Sequence, residues 1–268
     1  VTDISNSFFA ELVKYIGEEA RKDGYSLILF SSDYDLEKER ECLDVVRRYR
    51  VDGLIMVPID ENGAEWRDMV SRLDIPTVVI TRHATGIDSF YVAHDEAGAQ
   101  VAEHLKSVGC EHYIFVGTTE DKKYLGFAEK MKETDLHFEQ KLTLIETKNS
   151  REIRGILKAH FDTHPGKTGI FAYNDRRAVQ VHGILQKLGI SMPERAALVG
   201  FDNTYTCEYL YPALSSVSQP NREMAEEAVN ILIKNIGQPE GRELVAHPMG
   251  ARLIVRESSE ISEKERTK

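Results

Sequence analysis

The chain has 268 residues, 41% of them hydrophobic, and a formal charge of −10. This length can bury the core of one or two ordinary domains, and no apolar run is long enough for a membrane span. This net negative charge argues against direct binding of nucleic-acid phosphates by this chain. An odd number of scattered cysteines (Cys42, Cys110 and Cys207) fits a reducing compartment better than a disulfide framework. The first residues lack the basic and apolar regions of a signal peptide.

Amphipathic helices alternate with apolar strands along the chain. Apolar residues recur at helical spacing from residue 7 to 23, and Gly24 ends this first helix. Further helices are expected at residues 35–50, 65–73, 96–109, 125–134, 150–164, 175–189 and 221–237. Strands are expected at residues 25–32, 51–58, 75–81, 110–118, 141–147, 168–174, 196–203 and 251–258.

Most of the predicted strands are continuous apolar runs and do not alternate between apolar and polar residues. Such strands are typical of parallel sheets that helices cover on both faces. There are too many of them for one sheet of average size. The sequence therefore predicts an α/β protein with two doubly wound parallel-sheet subdomains.

Polar residues lie where two predicted strands end. Asn174 and Asp175 follow one apolar run, and Asp202 and Asn203 follow the next. Ligands of open parallel sheets bind at this edge. Carboxylates and amides beside aromatic rings, here Phe201 and Tyr205 as well as Phe8 and Phe9, suit a polyhydroxy ligand or a flat ring. Taken alone, an Asp or Asn before a helix is more often an N-cap.

Motifs for other chemistry are rejected. "HPGKTG" ends like a phosphate-binding loop but lacks the first glycine and the following helix. "HFDTH" places His160 and His164 one helical turn apart, but Pro165 ends the helix and no third ligand is near in sequence. No catalytic constellation is recognisable, so we expect no enzyme activity, cofactor or metal.

Ordered stretches of the chain together carry a family resemblance. They are residues 3–58, "IPTVVITR", "EAGAQVAEHLKSVGCEHYIFVG", "KYLGF", "FAYNDRRAVQVHGILQKLGISMPERAALVGFDN", "PALSSVSQP" and "ARLIVRES". In this order and spacing they resemble the effector-binding module of the lactose-repressor/galactose-repressor family. The resemblance covers residues 1–257.

The resemblance implies two subdomains like those of type I periplasmic binding proteins, joined by three crossovers. One would hold residues 1–108 and 221–248 and the other residues 109–220 and 249–257, before a polar tail at 258–268. The family binds its effector between the subdomains, with closure by a hinge motion. It reads operator DNA as a dimer through an N-terminal head that has no match in these residues. Val1 would lie inside the first strand of that fold.

The resemblance also implies two groups of ligand contacts in the first half of the chain. Ser5, Phe8 and Phe9 match the family's "SNPFF" segment, with Ser7 in place of the proline. The aromatics would stack on the effector. Lys123 stands where the family usually has arginine, which keeps the charge but loses the planar, forked set of donors.

Three further ligand contacts are expected in the second half. Asn174 matches the family's strand-end asparagine, and Asp202 matches the first acid of its "FDD" or "YDN" motif. Gln219 sits at a crossover and is expected to line the binding site. The family's usual "DN" contact is replaced by His94 and Asp95.

These matches predict the effector-binding and dimerisation module of a cytoplasmic bacterial transcriptional regulator. Its effector would be a sugar or sugar derivative, and Lys123 suggests an anionic or partly anionic one. The homodimer would use the helix at residues 36–50 and the segment after Asp74. Other readings stay open: a purine-like corepressor module, suggested by "FDN" and "PAL", a secreted sugar-binding protein of a transporter, a doubly wound enzyme, or a regulator with a protein partner as its signal.

Overall fold

The computed structural model describes residues 1–60, 63–237 and 244–260, which form two compact units. The first unit comprises Val1–Val92 and Pro220–Gly250. The second comprises Ala93–Gln219 and the segment from Ala251 onward. Within the described ranges, no helix is both long enough and apolar enough to cross a membrane.

Helices and strands alternate through most of the chain. The helices are α1 (Ser7–Lys22), α2 (Leu36–Tyr49), α3 (Ala64–Ser71), α4 (His94–Ser107), α5 (Lys122–Thr134), α6 (Ser150–Thr163), α7 (Asp175–Leu188), α8 (Thr206–Tyr209) and α9 (Asn221–Gly237). The strands are β1 (Leu54–Met56), β2 (Thr77–Thr81), β3 (Asp88–Val92), β4 (His112–Val116), β5 (Leu142–Ile145), β6 (Thr168–Ala172), β7 (Ala196–Asp202), β8 (Ser215–Ser218), β9 (Ala246–Met249) and β10 (Arg252–Ile254).

The first unit is built on a parallel sheet with the strand order β1-β2-β3-β9. Every residue of β2 is buried, as its apolar sequence predicts. Helix α9 packs on β2 and β3 and also against α1. The buried face of α1 carries Phe8, Phe9, Leu12 and Ile16, at the helical spacing that the sequence shows.

The second unit is built on a sheet with the order β10-β8-β7-β6-β4-β5, in which only β10 is antiparallel to its neighbour. Successive residues of a strand point to opposite faces. Phe115 and Phe171 therefore pack under α4 and α5 on one face. Ile114 and Ile170 pack under α6 and α7 on the other. Helices cover both faces, which confirms the predicted α/β class with parallel sheets.

The units divide the chain differently from the expected subdomains. The first break lies at residues 92–93, not near residue 108, because α4 packs against α5 in the second unit. Ser258 and Ser259 are fully buried, so the expected polar tail does not begin at residue 258. The Ser258 hydroxyl donates to the Leu198 carbonyl at 2.6 Å, which fixes this segment beside β7. Residues 261–268 lie outside the described residues.

Residues 25–32 do not form the expected buried strand. Leu27, Ile28 and Leu29 are 46%, 50% and 42% exposed and border a cavity of about 370 Å³ within the first unit, which Leu54 of β1 also lines. A β-strand is defined by backbone hydrogen bonds to a neighbouring strand. No described residue makes such a bond to the backbone of residues 26–29, so this segment is not a strand. Conversely, β3, β8 and β9 are strands that the sequence patterns did not predict.

Candidate functional site

The carboxyl ends of four parallel strands meet at one edge of the second unit's sheet. Strands β4, β6, β7 and β8 are mutually parallel, so the residues after each strand gather at the same edge. Asn174 follows β6, Asp202 ends β7, and Gln219 follows β8. Lys123 lies in the first turn of α5, the helix that follows β4.

Asp202 and Gln219 form a buried polar pair. Both are 8% exposed, and Gln219 Nε2 donates to Asp202 Oδ1 at 2.8 Å. Within the described chain, the buried Gln219 Oε1 atom has no hydrogen-bond partner. An unpaired buried acceptor is costly, and a ligand donor at this position would remove that cost.

The electrostatics around Asp202 favour its protonated form. Burial raises the pKa of its carboxyl to about 8, and the nearby carboxylate of Asp175 also raises it. The positive charge of Lys123 and the hydrogen bond from Gln219 act in the opposite direction. Asp202 can therefore change its protonation state near neutral pH.

Lys123 points its ammonium group into the same cluster. Its Nζ donates to the Tyr173 carbonyl at 2.9 Å and lies 4.2 Å from the centre of the Phe201 ring. A cation over an aromatic face is stabilised electrostatically. The ring of His94 also contacts Phe201, edge to face, with 5.6 Å between the ring centres. Lys123 and His94, two of the positions at which this chain departs from the family's usual residues, thus both contact Phe201.

Two local features hold Lys123 in place. Asp121 caps α5 by accepting a hydrogen bond from the Lys123 backbone N at 2.9 Å. Gly98 of α4 and Gly126 of α5 let the two helices touch through their backbones, because a Cβ at either position would collide with the main chain of the other helix. We call Lys123, Tyr173, Phe201, Asp202 and Gln219 the strand-end cluster.

Asn174 has the structural role that its position before a helix suggests. Its side-chain oxygen accepts a hydrogen bond from the Arg177 backbone N at 3.0 Å and caps α7. Its amide nitrogen carries two further donors. Asn174 lies beside the cluster in sequence, next to Tyr173, and its contact with a ligand stays a prediction.

Ser5, Phe8 and Phe9 belong to the first unit. Ser5 is exposed, and its hydroxyl donates to Asp3 Oδ1 at 2.6 Å. Phe8 and Phe9 are buried and form an edge-to-face pair with 5.0 Å between ring centres. Their role as ligand contacts stays a prediction.

The structure shows several contacts near the predicted site residues that the sequence does not predict. Tyr173 contributes a backbone carbonyl, which no side-chain pattern can reveal. Tyr205, expected to cover a ligand, is mostly exposed and lies beside Tyr209.

His112 joins His160 and His164 in a ring cluster at the start of β4, with 4.8 Å between the ring centres of His112 and His164. Neither these histidines nor any other described group of three or more His, Cys, Asp or Glu residues is arranged so that it could hold a metal ion.

Comparisons with known proteins agree with this fold. A family model described as a periplasmic binding protein-like domain matches residues 102–259. The chain is 28% identical over 269 residues to the ribose operon repressor of Halalkalibacterium halodurans, covering 98% of this chain and 79% of that protein. It is 30% identical over 271 residues to the HTH-type transcriptional regulator DegA of Bacillus subtilis, covering 96% and 78%.

A solved structure matches over almost the whole chain. The periplasmic binding protein/LacI transcriptional regulator from Alkaliphilus metalliredigens QYMF, complexed with D-xylulofuranose, has a TM-score of 0.82 at 29% identity and covers 97% of both chains. Fold and matches together define a ligand-binding domain of the periplasmic-binding-protein type. The chain belongs to the lactose-repressor/galactose-repressor family of transcriptional regulators, which confirms the resemblance seen in its sequence. Its named relatives are regulators and not enzymes, as expected.

Proposed function

We propose that this effector-binding module recognises a neutral sugar of pentose size through the strand-end cluster. The observation that carries the proposal is the Asp202–Gln219 pair with its unpaired acceptor. A sugar hydroxyl can donate to Gln219 Oε1 while a neighbouring hydroxyl donates to Asp202. The face of an aromatic ring suits the apolar C–H side of a sugar.

The contacts of Lys123 favour a neutral effector over an anionic one. Its ammonium group is already bound to the Tyr173 carbonyl and lies over Phe201. Its charge also stabilises the ionised form of Asp202. An added anionic group would have to compete with both interactions beside the buried Asp202, where charges are costly to rearrange. The ammonium group therefore acts as a fixed part of the cluster.

The relatives support a pentose as the first ligand to test. One relative is named as a ribose operon repressor, and the matched structure contains D-xylulofuranose. Ser5, Phe8, Phe9 and Asn174 are proposed as further ligand contacts on the family resemblance alone. A purine-like corepressor is the second candidate, because Asn203 and the "PAL" segment at residues 212–214 resemble the purine-responsive members.

The module is proposed to act in the cytoplasm as part of a dimeric regulator that binds operator DNA through a separate head. The effector must bind one conformation of the regulator more tightly than the other. A coupling free energy of about 1–3 kcal/mol would change operator affinity roughly 5- to 150-fold. The direction of that change, induction or corepression, depends on which conformation binds DNA.

Thermal unfolding against a panel of pentoses, hexoses, sugar phosphates and purines tests the proposal. A ligand at about 100 times its dissociation constant adds roughly 2.7 kcal/mol to the free energy of unfolding. We expect a pentose to raise the midpoint, and Asp202→Ala to abolish the shift. Asp162→Ala, which removes an exposed carboxylate on α6, is the control and should keep it. A purine or sugar-phosphate hit without a pentose hit would contradict the proposal.

A further inference from the structure

Asp175 is a buried carboxylate that the proposed ligand contacts do not explain. It opens α7, is 1% exposed, and accepts hydrogen bonds from Ser216 Oγ at 2.5 Å, the Thr204 backbone N at 2.6 Å and Cys207 Sγ at 3.1 Å. Burial of a carboxyl disfavours its charged form, and burial raises the pKa of Asp175 although these donors act in the opposite direction. The donors come from β8, from the loop after β7 and from α8.

The loop that Asp175 binds has a strained backbone. Asp202 and Asn203 have φ values of 113° and 50°, in the region that favours glycine. Such a conformation persists only where surrounding contacts enforce it. The Asn203 backbone N donates to Ser216 Oγ at 3.0 Å, and the same hydroxyl donates onward to Asp175 Oδ1. Asp175 therefore holds Asn203 through Ser216 and holds Thr204 directly.

The neighbouring strand leaves space for this carboxylate. Gly200 lies in β7, two residues before Asp202, and a Cβ at that position would collide with Asp175 Oδ1. The carboxylate thus lies against the β7 backbone. The glycine of "GFDN" leaves the space that the aspartate of "YND" occupies.

We propose that Asp175 is the positioning residue of the strand-end cluster, holding the Asp202–Asn203 turn against β8 so that the Asp202 carboxyl faces the ligand. The role rests on the proposed function, because Asp202 is the proposed ligand contact. Asp175 itself does not touch the ligand in this arrangement. It acts through the Ser216 hydroxyl and the Thr204 amide.

The charge of Asp175 gives the proposal a readout that a purely structural role lacks. That charge is one of the causes that raise the pKa of Asp202. Replacing Asp175 with asparagine keeps the shape and removes the charge. The titration midpoint of Asp202 should then move to lower pH, and the pH profile of sugar affinity should move with it.

The test compares wild type, Asp175→Asn, Ser216→Ala and the control Asp88→Asn. Asp88 is a matched buried carboxylate in the first unit, where Asn235 Nδ2 and the Val245 backbone N donate to it at 2.9 and 2.8 Å. NMR of the ligand-free protein follows the titration of Asp202 through carboxyl-labelled aspartate, and it follows the turn itself through the Asn203 backbone amide. Calorimetry with D-ribose and D-xylulose measures affinity across the neutral and weakly alkaline range.

We expect Asp175→Asn to lower the Asp202 midpoint and to weaken sugar binding roughly 10- to 100-fold, as loss of a charge-assisted hydrogen bond does. Ser216→Ala should weaken binding with a smaller change in midpoint, because the Asp175 charge remains. Asp88→Asn should change neither. If Asp175→Asn does not fold, Ser216→Ala and its affinity decide the question.

The two proposals fail in different ways. If wild type binds neither sugar while Asp175→Asn and Ser216→Ala both shift the Asn203 backbone amide resonance, the sugar assignment fails and the positioning role stands. Unchanged affinity and midpoint in both Asp175→Asn and Ser216→Ala would overturn the positioning role. Equal losses in Asp88→Asn would also overturn it, because they would reflect general destabilisation.

Discussion

Gly98 of α4 lies against the backbone carbonyl of Lys123 in α5, so closely that a side chain at residue 98 would collide with that oxygen. The first turn of α5 carries Lys123 toward Tyr173 and Phe201. The contact between these two helices therefore positions one member of the strand-end cluster.

Gly98→Ala should destabilise the protein and weaken ligand binding together. Overpacking of a close backbone contact costs about 1–3 kcal/mol, and the displacement would move Lys123. Gly155→Ala in α6 is the matched control, since a Cβ there would meet no described atom within 4 Å beyond its chain neighbours and its own helix backbone. That change should stabilise by about 0.5–1 kcal/mol, as glycine to alanine does in an open helix position. Urea unfolding measures both, and similar values for the two variants would refute the role of the contact.

Gln219→Leu should weaken sugar binding without lowering the stability of the ligand-free protein by much. The substitution removes a donor to Asp202 but also removes the buried oxygen that has no partner in the described chain. These two effects on stability oppose each other. The loss of affinity should be roughly tenfold, since the sugar hydroxyl loses its acceptor, Gln219 Oε1, and with it one hydrogen bond.

Calorimetry of Gln219→Leu with a pentose gives the affinity. Gln186→Leu is its control, because that exposed amide donates only to the Tyr211 carbonyl in the described structure. Wild-type affinity in Gln219→Leu would remove this residue from the site.

The protonation of Asp202 should make ligand-free stability depend on pH. Its pKa is raised from 3.8 to about 8 in the folded protein. A group with a raised pKa contributes stability that is complete below the unfolded value and is lost as the pH rises through the folded value. The contribution of Asp202 should therefore decrease between about pH 4 and pH 8. In Asp202→Asn this contribution disappears, so the difference in unfolding free energy between variant and wild type should grow in the variant's favour with pH. A constant difference would contradict the raised pKa.

Mild acid should destabilise the second unit through His160. Burial, and next the neighbouring His164 and His112, lower the pKa of His160 from 6.5 to about 4. A base with a lowered pKa contributes stability above its unfolded value, and that stability is lost as the pH falls from about 6.5 toward 4. His160→Gln should lose less stability between pH 7 and pH 5 than wild type, by on the order of 1–2 kcal/mol.

Urea unfolding at a series of pH values measures the effect of His160. The exposed His137 provides the control variant His137→Gln, which should follow wild type. Parallel profiles for wild type and His160→Gln would assign the acid sensitivity to other groups.

The elements predicted correctly from the sequence are those whose own pattern of apolar residues defines the buried face. The apolar run of β6 and the amphipathic pattern of α7 lie where expected, because each matches its period without help from neighbours. Strands β8 ("SSVS") and β9 ("AHPM") were missed because their strand form depends on pairing with β7 and β3. Residues 26–29 have a strand-like sequence but no described partner.

In the candidate site, too, some features follow from the local sequence and others depend on contacts between distant residues. The order of predicted elements places Asn174 and Asp202 at strand ends. It also predicts that both residues lie at the same edge of the sheet, because the strands are parallel. The network of Asp175 does not follow from that order, since its donors lie 29 to 41 residues away in sequence. The carbonyl of Tyr173, which binds Lys123, carries no side-chain signal. The hydrogen bond from Lys123 to this carbonyl can be seen only in the folded structure.

NMR of the Gln219 side-chain amide during addition of D-ribose or D-xylulose is the sharpest test of sugar binding at the strand-end cluster. Its Nε2 donates to Asp202, and its oxygen is the unpaired acceptor in the described structure. We expect saturable shifts of this amide and of the Asn203 backbone amide, both lost in Asp202→Ala. A pentose that binds while both resonances stay unchanged, or that shifts residues around the first unit's cavity such as Leu232 instead, would contradict sugar binding at the strand-end cluster.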